Sequence, residues 1–392
     1  MQQYNIPAEN RYQIVIVGGG PAGISTALHL REQAPALAQS MLILEAKSHP
    51  RPKLCGGGVT AHGEGQLRQL GIAIDIPAFE VHRLLFRLGT QTFTIEHENA
   101  MRIFDRAEFD AALANVAAQH RLNMHDKERL LDIEQVEDGV ILATDRQKYF
   151  AHVVVAADGA KSIVRQKLRV FSRLGVARLL RVMTPVLPER DLTWRDHTAI
   201  FDFSCVQQKL QGYMWDFPSV IQGKAYVNRG IFDSRIKPAP FTERQHASLR
   251  TIFAQGLDKR GVDLDSVMLE GHPVRWFHPD SIFSHPHILF VGDAAGVDPL
   301  FAEGISYAME YGAIAADEIK QAFERKDFQF GKYRERLLKH RLGQLLARRT
   351  RVANWLYHYR YPPMWSLLWK MADIAPARIQ RMVGSSLALL PP

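Results

Sequence analysis

An α/β architecture built around a Rossmann-like unit is what this 392-residue chain predicts, on three observations near its start. Tyr12–Val17 is a short apolar, β-branched run that ends in glycines. Gly18-x-Gly20-x-x-Gly23 follows it directly and opens a helical stretch near Pro21. Met41–Glu45 is a second apolar run that closes on an acid. Together they read as a βαβ unit. The first glycine permits the tight turn, the second lets the backbone approach a pyrophosphate, and the third lets helix pack on strand. The helix N-terminus offers free N–H groups and a positive dipole end to phosphates. Glu45 stands where an acid accepts ribose hydroxyls. A glycine turn after a strand can be purely structural, but strand, helix and terminal acid in this order favour nucleotide binding. They do not separate one dinucleotide from another.

The uncharged run from Ile14 to Leu30 approaches the length of a membrane span, yet Gly18–Pro21 interrupt its middle, so strand, turn and helix explain it better. Further along, Arg83–Leu88 and Thr92–Ile95 read as short strands, and Asp105–Gln119 as a helix with Asp105 and Glu108 in a capping-box arrangement. Val136–Leu142 and Val153–Ala156 read as strands. Alternating strands between about 178 and 233 predict an antiparallel sheet. Phe241–Lys259 reads as a helix, His287–Val291 as a buried strand, and Glu303–Phe323 as a long helix. The rest is helical, basic and aromatic.

The length allows about two domains on a soft expectation of roughly 150 residues each. Only Cys55 and Cys205 are present, far apart and in no CxxC pattern, which argues against a disulfide scaffold or a zinc site and fits a reducing, cytoplasmic setting. The first residues carry no basic-then-apolar signal pattern. The net charge of +8 is uneven: from Gly331 onward 12 Lys or Arg face Glu335 and Asp373, leaving +10 there and −2 on the remaining body. The basicity therefore belongs to the tail, which weakens a nucleic-acid reading.

Three further segments identify the dinucleotide by resemblance. Asp158-Gly159-Ala160-Lys161-Ser162-Ile163-Val164-Arg165 resembles the DGxxSxVR segment of the hydroxylase-like flavoprotein superfamily. Gly292-Asp293-Ala294-Ala295-Gly296 resembles that superfamily's second FAD motif, whose Asp bonds the ribityl chain. Arg106-x-x-Phe109-Asp110-x-x-Leu113 resembles the helix whose Arg supports the pyrophosphate region. Within the superfamily, GDAAGVDPLFAEGISYAM over Gly292–Met309 is similar to the geranylgeranyl reductase family pattern. Lys53-Leu54-Cys55-Gly56-Gly57-Gly58 resembles the family's CGGG segment, which passes the flavin ring, and Tyr213-Met214-Trp215-Asp216-Phe217-Pro218 its YxWxFP cavity motif. Leu210 stands where the family has Pro, and Ala302 where Gly is common. The resemblance covers roughly residues 12 to 320.

That resemblance implies a glutathione-reductase-like FAD-binding domain interleaved with an antiparallel β-sheet substrate domain, plus a helical C-terminal tail. The expected division is 10–80, 100–175 and 276–330 for FAD, 81–99 and 176–275 for the substrate sheet, and 331–392 for the tail. FAD would be held non-covalently by Gly18, Gly20, Ala22, Gly23, Glu45, Cys55, Gly56, Gly58, Arg106, Asp158, Asp293, Gly304 and Ile305, with the helix starting at Glu303-Gly304-Ile305 facing the N1–C2=O edge of the ring. The implied activity is reduction of carbon–carbon double bonds in isoprenoid chains, with hydride from flavin N5 and Cys55 as proton donor or relay. Tyr213 and Trp215 would form the wall of a hydrophobic prenyl cavity. Without the resemblance, Tyr213 and Trp215 at period two on a strand read more readily as core, and Cys55 as an inert buried thiol. Two other functions share these motifs: a flavin monooxygenase or halogenase, and a membrane-peripheral electron carrier to quinone. No second GxGxxG is evident, so the electron donor is NAD(P)H bound transiently or a reductant protein such as ferredoxin. In the tail, Arg348, Arg349 and Arg351 precede Trp355, Tyr357, Tyr359, Tyr361, Trp365 and Trp369. This pattern suits helices on a membrane surface or, equally, helices packed on the body.

Overall fold

The computed structural model describes residues 6–170, 175–237, 248–357 and 363–375. Two eight-stranded sheets organise them. In the first, Arg11–Val17 lies between Met41–Leu44 and Lys148–Ala156, parallel to both. Ile288–Phe290 adds a fourth parallel strand beyond Lys148–Ala156, and Met124–His125 a fifth beyond Met41–Leu44. These strands are apolar almost throughout because helices cover them, as a parallel sheet requires. The right-sized crossover is the helix Pro21–Gln33, with Gly20 at its N-cap and Pro21 at its first turn. Pro suits that position because its missing N–H would have had no helical partner.

The parallel arrangement has one consequence for function. Val17, Leu44, Ala156 and Phe290 all end on the same edge of the sheet, so Gly18, Glu45, Asp158 and Asp293 emerge there together. In open α/β sheets this carboxyl edge is where ligands sit.

The second sheet runs in the order Glu270–Arg275, Val176–Pro185, Lys224–Asp233, Gly212–Ile221, Thr198–Asp202, Ala78–Leu88, Gln91–Phe104 and Gly58–Thr60. All its pairings are antiparallel except Thr198–Asp202 with Ala78–Leu88, which is parallel. Its strands cross the bounds drawn from the sequence. Gly58–Thr60 pairs with Met101–Ile103, and the hairpin Ala78–Leu88/Gln91–Phe104 extends well beyond the two short strands expected. The expected single strand Val136–Leu142 is a hairpin instead, Leu130–Val136 and Gly139–Thr144, with Glu137 and Asp138 at its turn. The charged Glu137-Asp138 pair followed by Gly139 is the turn signal that marks the break, and the expected single strand ran through it. The helix expected over Phe241–Lys259 is Leu249–Asp258, residues 241–247 lying outside the described set. Asp105 caps the helix Arg106–Gln119 by accepting from the Ala107 N–H.

The helix Ile305–Arg325 crosses Pro21–Gln33 closely. Ser25 Oγ donates to the Met309 carbonyl (2.7 Å), and a Cβ at Gly312 would lie 2.6 Å from Ser25 Oγ, so only glycine permits this approach. In the tail, Tyr333–Lys339, Arg341–Leu356 and Pro363–Ile374 are helical. They pack on the body: Tyr357, Trp365 and Trp369 are buried in the core of the second sheet. These three aromatics were candidates for a lipid interface, and burial removes them from it. Tyr359 and Tyr361 lie outside the described residues.

Candidate functional site

One cavity of about 830 Å³ runs from the carboxyl edge of the first sheet to the face of the second. Every site residue inferred from the sequence lines it except Gly23. A Cβ on Gly23 would overlap the Gly18 carbonyl, so this glycine serves helix–strand packing and not the cavity wall. Gly18 has φ +113°, and a Cβ there would run into the Ala157 carbonyl, so the turn also needs glycine.

At one end, the Glu45 carboxylate accepts from Gly19 N–H and Lys47 N–H, both at 3.0 Å. Arg51 pairs with Glu45 (3.2 Å) and with Asp110 (3.2 Å), and Asp110 is held by Arg106 through two guanidinium nitrogens. This Glu45–Arg51–Asp110–Arg106 chain lies beside Gly20, whose Cβ position is 3.6 Å from Arg51 Nη2. Sequence reasoning singled out Glu45 and Arg106 and missed Arg51. The basic Arg51-Pro52-Lys53 run just before Cys55 was the available signal. Burial works against the Arg106 charge, but Asp110 and then the Cys55 thiol outweigh it, so Arg106 stays a firm cation beside Cys55.

In the middle stand Asp158 and Asp293. Asp158 Oδ2 accepts from Val164 N–H (3.1 Å), and Ser162 Oγ from Arg165 N–H (3.1 Å), so the Asp158–Arg165 segment builds its own short helix cap. Arg165 Nη1 reaches the Ala294 carbonyl (3.1 Å) and thereby ties this segment to the Gly292–Ala294 turn. Asp158 Oδ1 is buried without a hydrogen bond, and burial pushes the Asp158 carboxyl up despite the donors around it. Among the described residues Asp293 makes no side-chain hydrogen bond, and its carboxylate faces the cavity. His272 contacts Lys53 Nζ through Nε2 (3.2 Å), and burial together with Lys53 holds it down at about 4, so it is neutral at physiological pH.

The far end is aromatic. Phe201, Tyr213, Trp215, Phe217 and Phe301 line it together with Cys55 and Gly56. The Tyr213 hydroxyl donates to the Phe301 carbonyl (2.6 Å), and burial pushes this phenol well up. Its proton is committed to that bond, so Tyr213 is placed as wall and brace. Trp215 Nε1 donates to Asn228 Oδ1 (3.1 Å), and Asn228 Nδ2 donates to the Cys55 carbonyl (2.9 Å). Trp215 is both buried core and cavity lining. Asn228, 173 residues from Cys55, carried no sequence signal.

Behind this end, Thr60 Oγ1 donates to Glu303 Oε1 (2.7 Å). Arg349, from the tail, is only 1 % exposed, pairs with Asp298 and lies 3.6 Å from Glu303. It was grouped with solvated or lipid-facing arginines in the sequence. Its partners bury it instead.

A glycine-lined carboxyl edge opening onto a second, aromatic-faced sheet defines a two-sheet dinucleotide-binding flavoprotein. The family described as FAD binding domain matches residues 11–316 of this chain. The chain belongs to that family. Relatives include a menaquinone reductase from Mycolicibacterium smegmatis, 26% identical over 78% of this chain and 76% of its own length. A digeranylgeranylglycerophospholipid reductase 2 from Methanosphaera stadtmanae is 27% identical over 82% and 81%. Among solved structures, a geranylgeranyl bacteriochlorophyll reductase-like protein from Thermoplasma acidophilum superposes with a TM-score of 0.69 at 21% identity, covering 95% of this chain and 99% of that one. The flavin-dependent halogenase CmlS shares the fold too, with a TM-score of 0.63 at 20% identity over 96% and 70%. The geranylgeranyl reductase resemblance carried by the motifs agrees with the relative named digeranylgeranylglycerophospholipid reductase 2.

The residues present fit FAD. The glycine turn gives a backbone cradle at a helix N-terminus, Glu45 and Arg51 flank it, and two carboxylates, one with a buried unpaired oxygen, stand between it and the aromatic end.

Proposed function

We propose that this chain is an FAD-dependent reductase of carbon–carbon double bonds in isoprenoid chains of the geranylgeranyl type. The observation that carries this reading is the junction inside the cavity. The Cys55–Gly58 loop lies where the glycine cradle meets the aromatic pocket, and it is held there by Asn228 and Arg181 on the Cys55 carbonyl. Relatives named for digeranylgeranylglycerophospholipid reduction support the substrate class.

Bound FAD, once reduced, supplies the hydride. The protein's own part is threefold. Phe201, Phe217 and Trp215 exclude water and offer aromatic faces to a long apolar chain and to positive charge developing on it. Gly304 and the first turn of the helix Ile305–Arg325 point a positive dipole end into the cavity. Cys55 would hold the S–H proton needed at one alkene carbon, and the thiolate it would leave lies beside Arg106, open to reprotonation by solvent. The electron donor is NAD(P)H or a ferredoxin-like protein, and anaerobic bleaching of the flavin by NADPH alone would select the first.

The test is mass spectrometry of prenyl lipids after expression in a host that makes unsaturated geranylgeranyl chains. Saturated products are expected. Flavin-loaded protein giving none, or giving product only with oxygen, would overturn the reading. Cys55→Ala should lower turnover by roughly 10²–10⁴-fold with flavin content unchanged. Undiminished turnover would remove Cys55 from the chemistry.

Trp215→Ala should impair reduction of a long prenyl substrate while FAD content stays near normal, because the indole lies at the aromatic end, away from the glycine cradle. Loss of both flavin and fold would show that Trp215 acts as core alone.

A further inference from the structure

The helix Pro363–Ile374 has two apolar faces, and only one is covered. Trp365 and Trp369 point inward. Trp365 lies 5.7 Å and Trp369 5.3 Å from Phe203, ring centre to ring centre, and Trp369 lies 5.5 Å from Phe93. Phe203 in turn packs at 5.2 Å on Tyr213, a wall of the cavity. The inward face thus roofs the aromatic end of the cavity at the distance of one intervening ring. The outward face carries Leu367, Lys370, Met371 and Ile374, at the spacing of one helical stripe. Leu367 and Met371 are 56 % exposed and Ile374 is 81 % exposed. A solvated helix would carry polar residues at these positions.

We propose that this outward stripe docks on an anionic lipid surface, so that the aromatic end of the cavity is presented to the bilayer. This rests on the prenyl-reductase reading for its purpose but on the helix itself for its evidence. Three observations choose lipid as the occupant. The apolar residues form one row with a lysine inside it, the pattern of an interfacial helix. Arg334, Arg336 and Arg349 are held by carboxylates of the body, whereas Arg351 and Lys370 are exposed on the helices around the stripe, so these two supply the charge complementary to anionic headgroups. The stripe also lies on the outer side of the roof of an apolar cavity, where a long-chain ligand would leave the bilayer. Among the described residues no helix is long and apolar enough to cross a membrane, so the contact is one of surface docking.

The test is flotation of the FAD-loaded full chain with vesicles of phosphatidylcholine containing phosphatidylglycerol, and with phosphatidylcholine alone. The parent should float with the anionic vesicles, less so at high salt. The triple variant Leu367→Glu, Met371→Glu, Ile374→Glu should bind at least about tenfold more weakly, because three apolar side chains then lose their place in the lipid. All three side chains are exposed, so flavin content and thermal unfolding should stay near the parent's. A second variant, Arg351→Glu with Lys370→Glu, should lose mainly the salt-sensitive part. Equal flotation of parent and triple variant overturns the proposal. So does a parent that fails to float, whether it stays monomeric or pairs through this face as a dimer that the triple variant dissolves. Reduction of a detergent-dispersed prenyl substrate is measured in parallel: flotation without reduction leaves docking standing and sinks the substrate assignment, and reduction without flotation does the reverse.

Discussion

Arg349→Ala will lower the stability of this protein by about 3–5 kcal/mol at neutral pH, the cost of leaving buried carboxylates without their cation. Arg349 reaches from the tail helix Arg341–Leu356 to Asp298, which also accepts from the Leu300 and Phe301 N–H groups, and stands close to Glu303. Its guanidinium lies over the rings of Phe301 and Tyr307 as well. Removing it leaves Asp298 fully buried with backbone donors alone. The pH dependence follows from Asp298, whose carboxyl is held up by burial, with Arg349 pulling it back down. A carboxyl whose folded pKa lies above its unfolded one costs stability as pH rises through the interval between them. Without Arg349 that interval widens upward. The deficit of the variant should therefore be large at about pH 7 and shrink as pH falls toward the ordinary Asp value of about 4, because Asp298 takes up its proton above that value. Urea denaturation of parent and variant at both pH values, with FAD stripped so that ligand binding adds nothing, gives the comparison. A deficit below about 1 kcal/mol at neutral pH would mean that the pair is replaceable by water. A deficit that grows on acidification would place the effect on some other group.

The same arginine shows what could and could not be read from the chain. Arg348, Arg349 and Arg351 are alike in sequence, and nothing local separates the one that is buried. What separates it is Asp298, 51 residues away, brought opposite by the packing of the tail on the second sheet. Asn228 is a similar case, since its hold on Cys55 exists only because Gly212–Ile221 and Lys224–Asp233 pair in register beneath the loop. Features fixed by short-range physics were legible. The glycine turn, the strands before Glu45, Asp158 and Asp293, and the Asp105 cap all follow from local sequence, and the parallel sheet gathers them at one edge. Features that depend on burial partners were not. Tyr357, Trp365 and Trp369 have the composition of an interfacial belt, yet they face Phe203 and each other. The hairpin at Glu137-Asp138 was legible from Asp138-Gly139, but Leu130–Val136 mixes apolar with charged residues and gave only a weak strand signal before it.

Asp293→Ala should cost the protein most of its flavin. The residue follows the strand Ile288–Phe290 on a turn opened by Gly292 at φ +56°, and it lies against Gly304, whose Cβ position is 3.4 Å from Asp293 Oδ1. Its carboxylate faces the cavity and is felt by His272 and Arg275. A ribityl hydroxyl donating to it would make a charge-assisted bond of roughly 1.5–3 kcal/mol, so the variant should bind FAD about ten- to a hundredfold more weakly. The contrast with Asp158 sharpens the test. Asp158 supports the cap of Ile163–Lys167 through Val164, so its loss would lower stability as well as binding. Among the described residues Asp293 supports no other side-chain hydrogen bond. The stability of Asp293→Ala without FAD should therefore match that of the parent without FAD. Fluorescence titration of stripped protein with FAD, alongside denaturation of the same samples, separates the two effects. An Asp293→Ala protein that leaves gel filtration as yellow as the parent would show that this carboxylate does not hold the cofactor. One that is destabilised without FAD would show that it holds the turn.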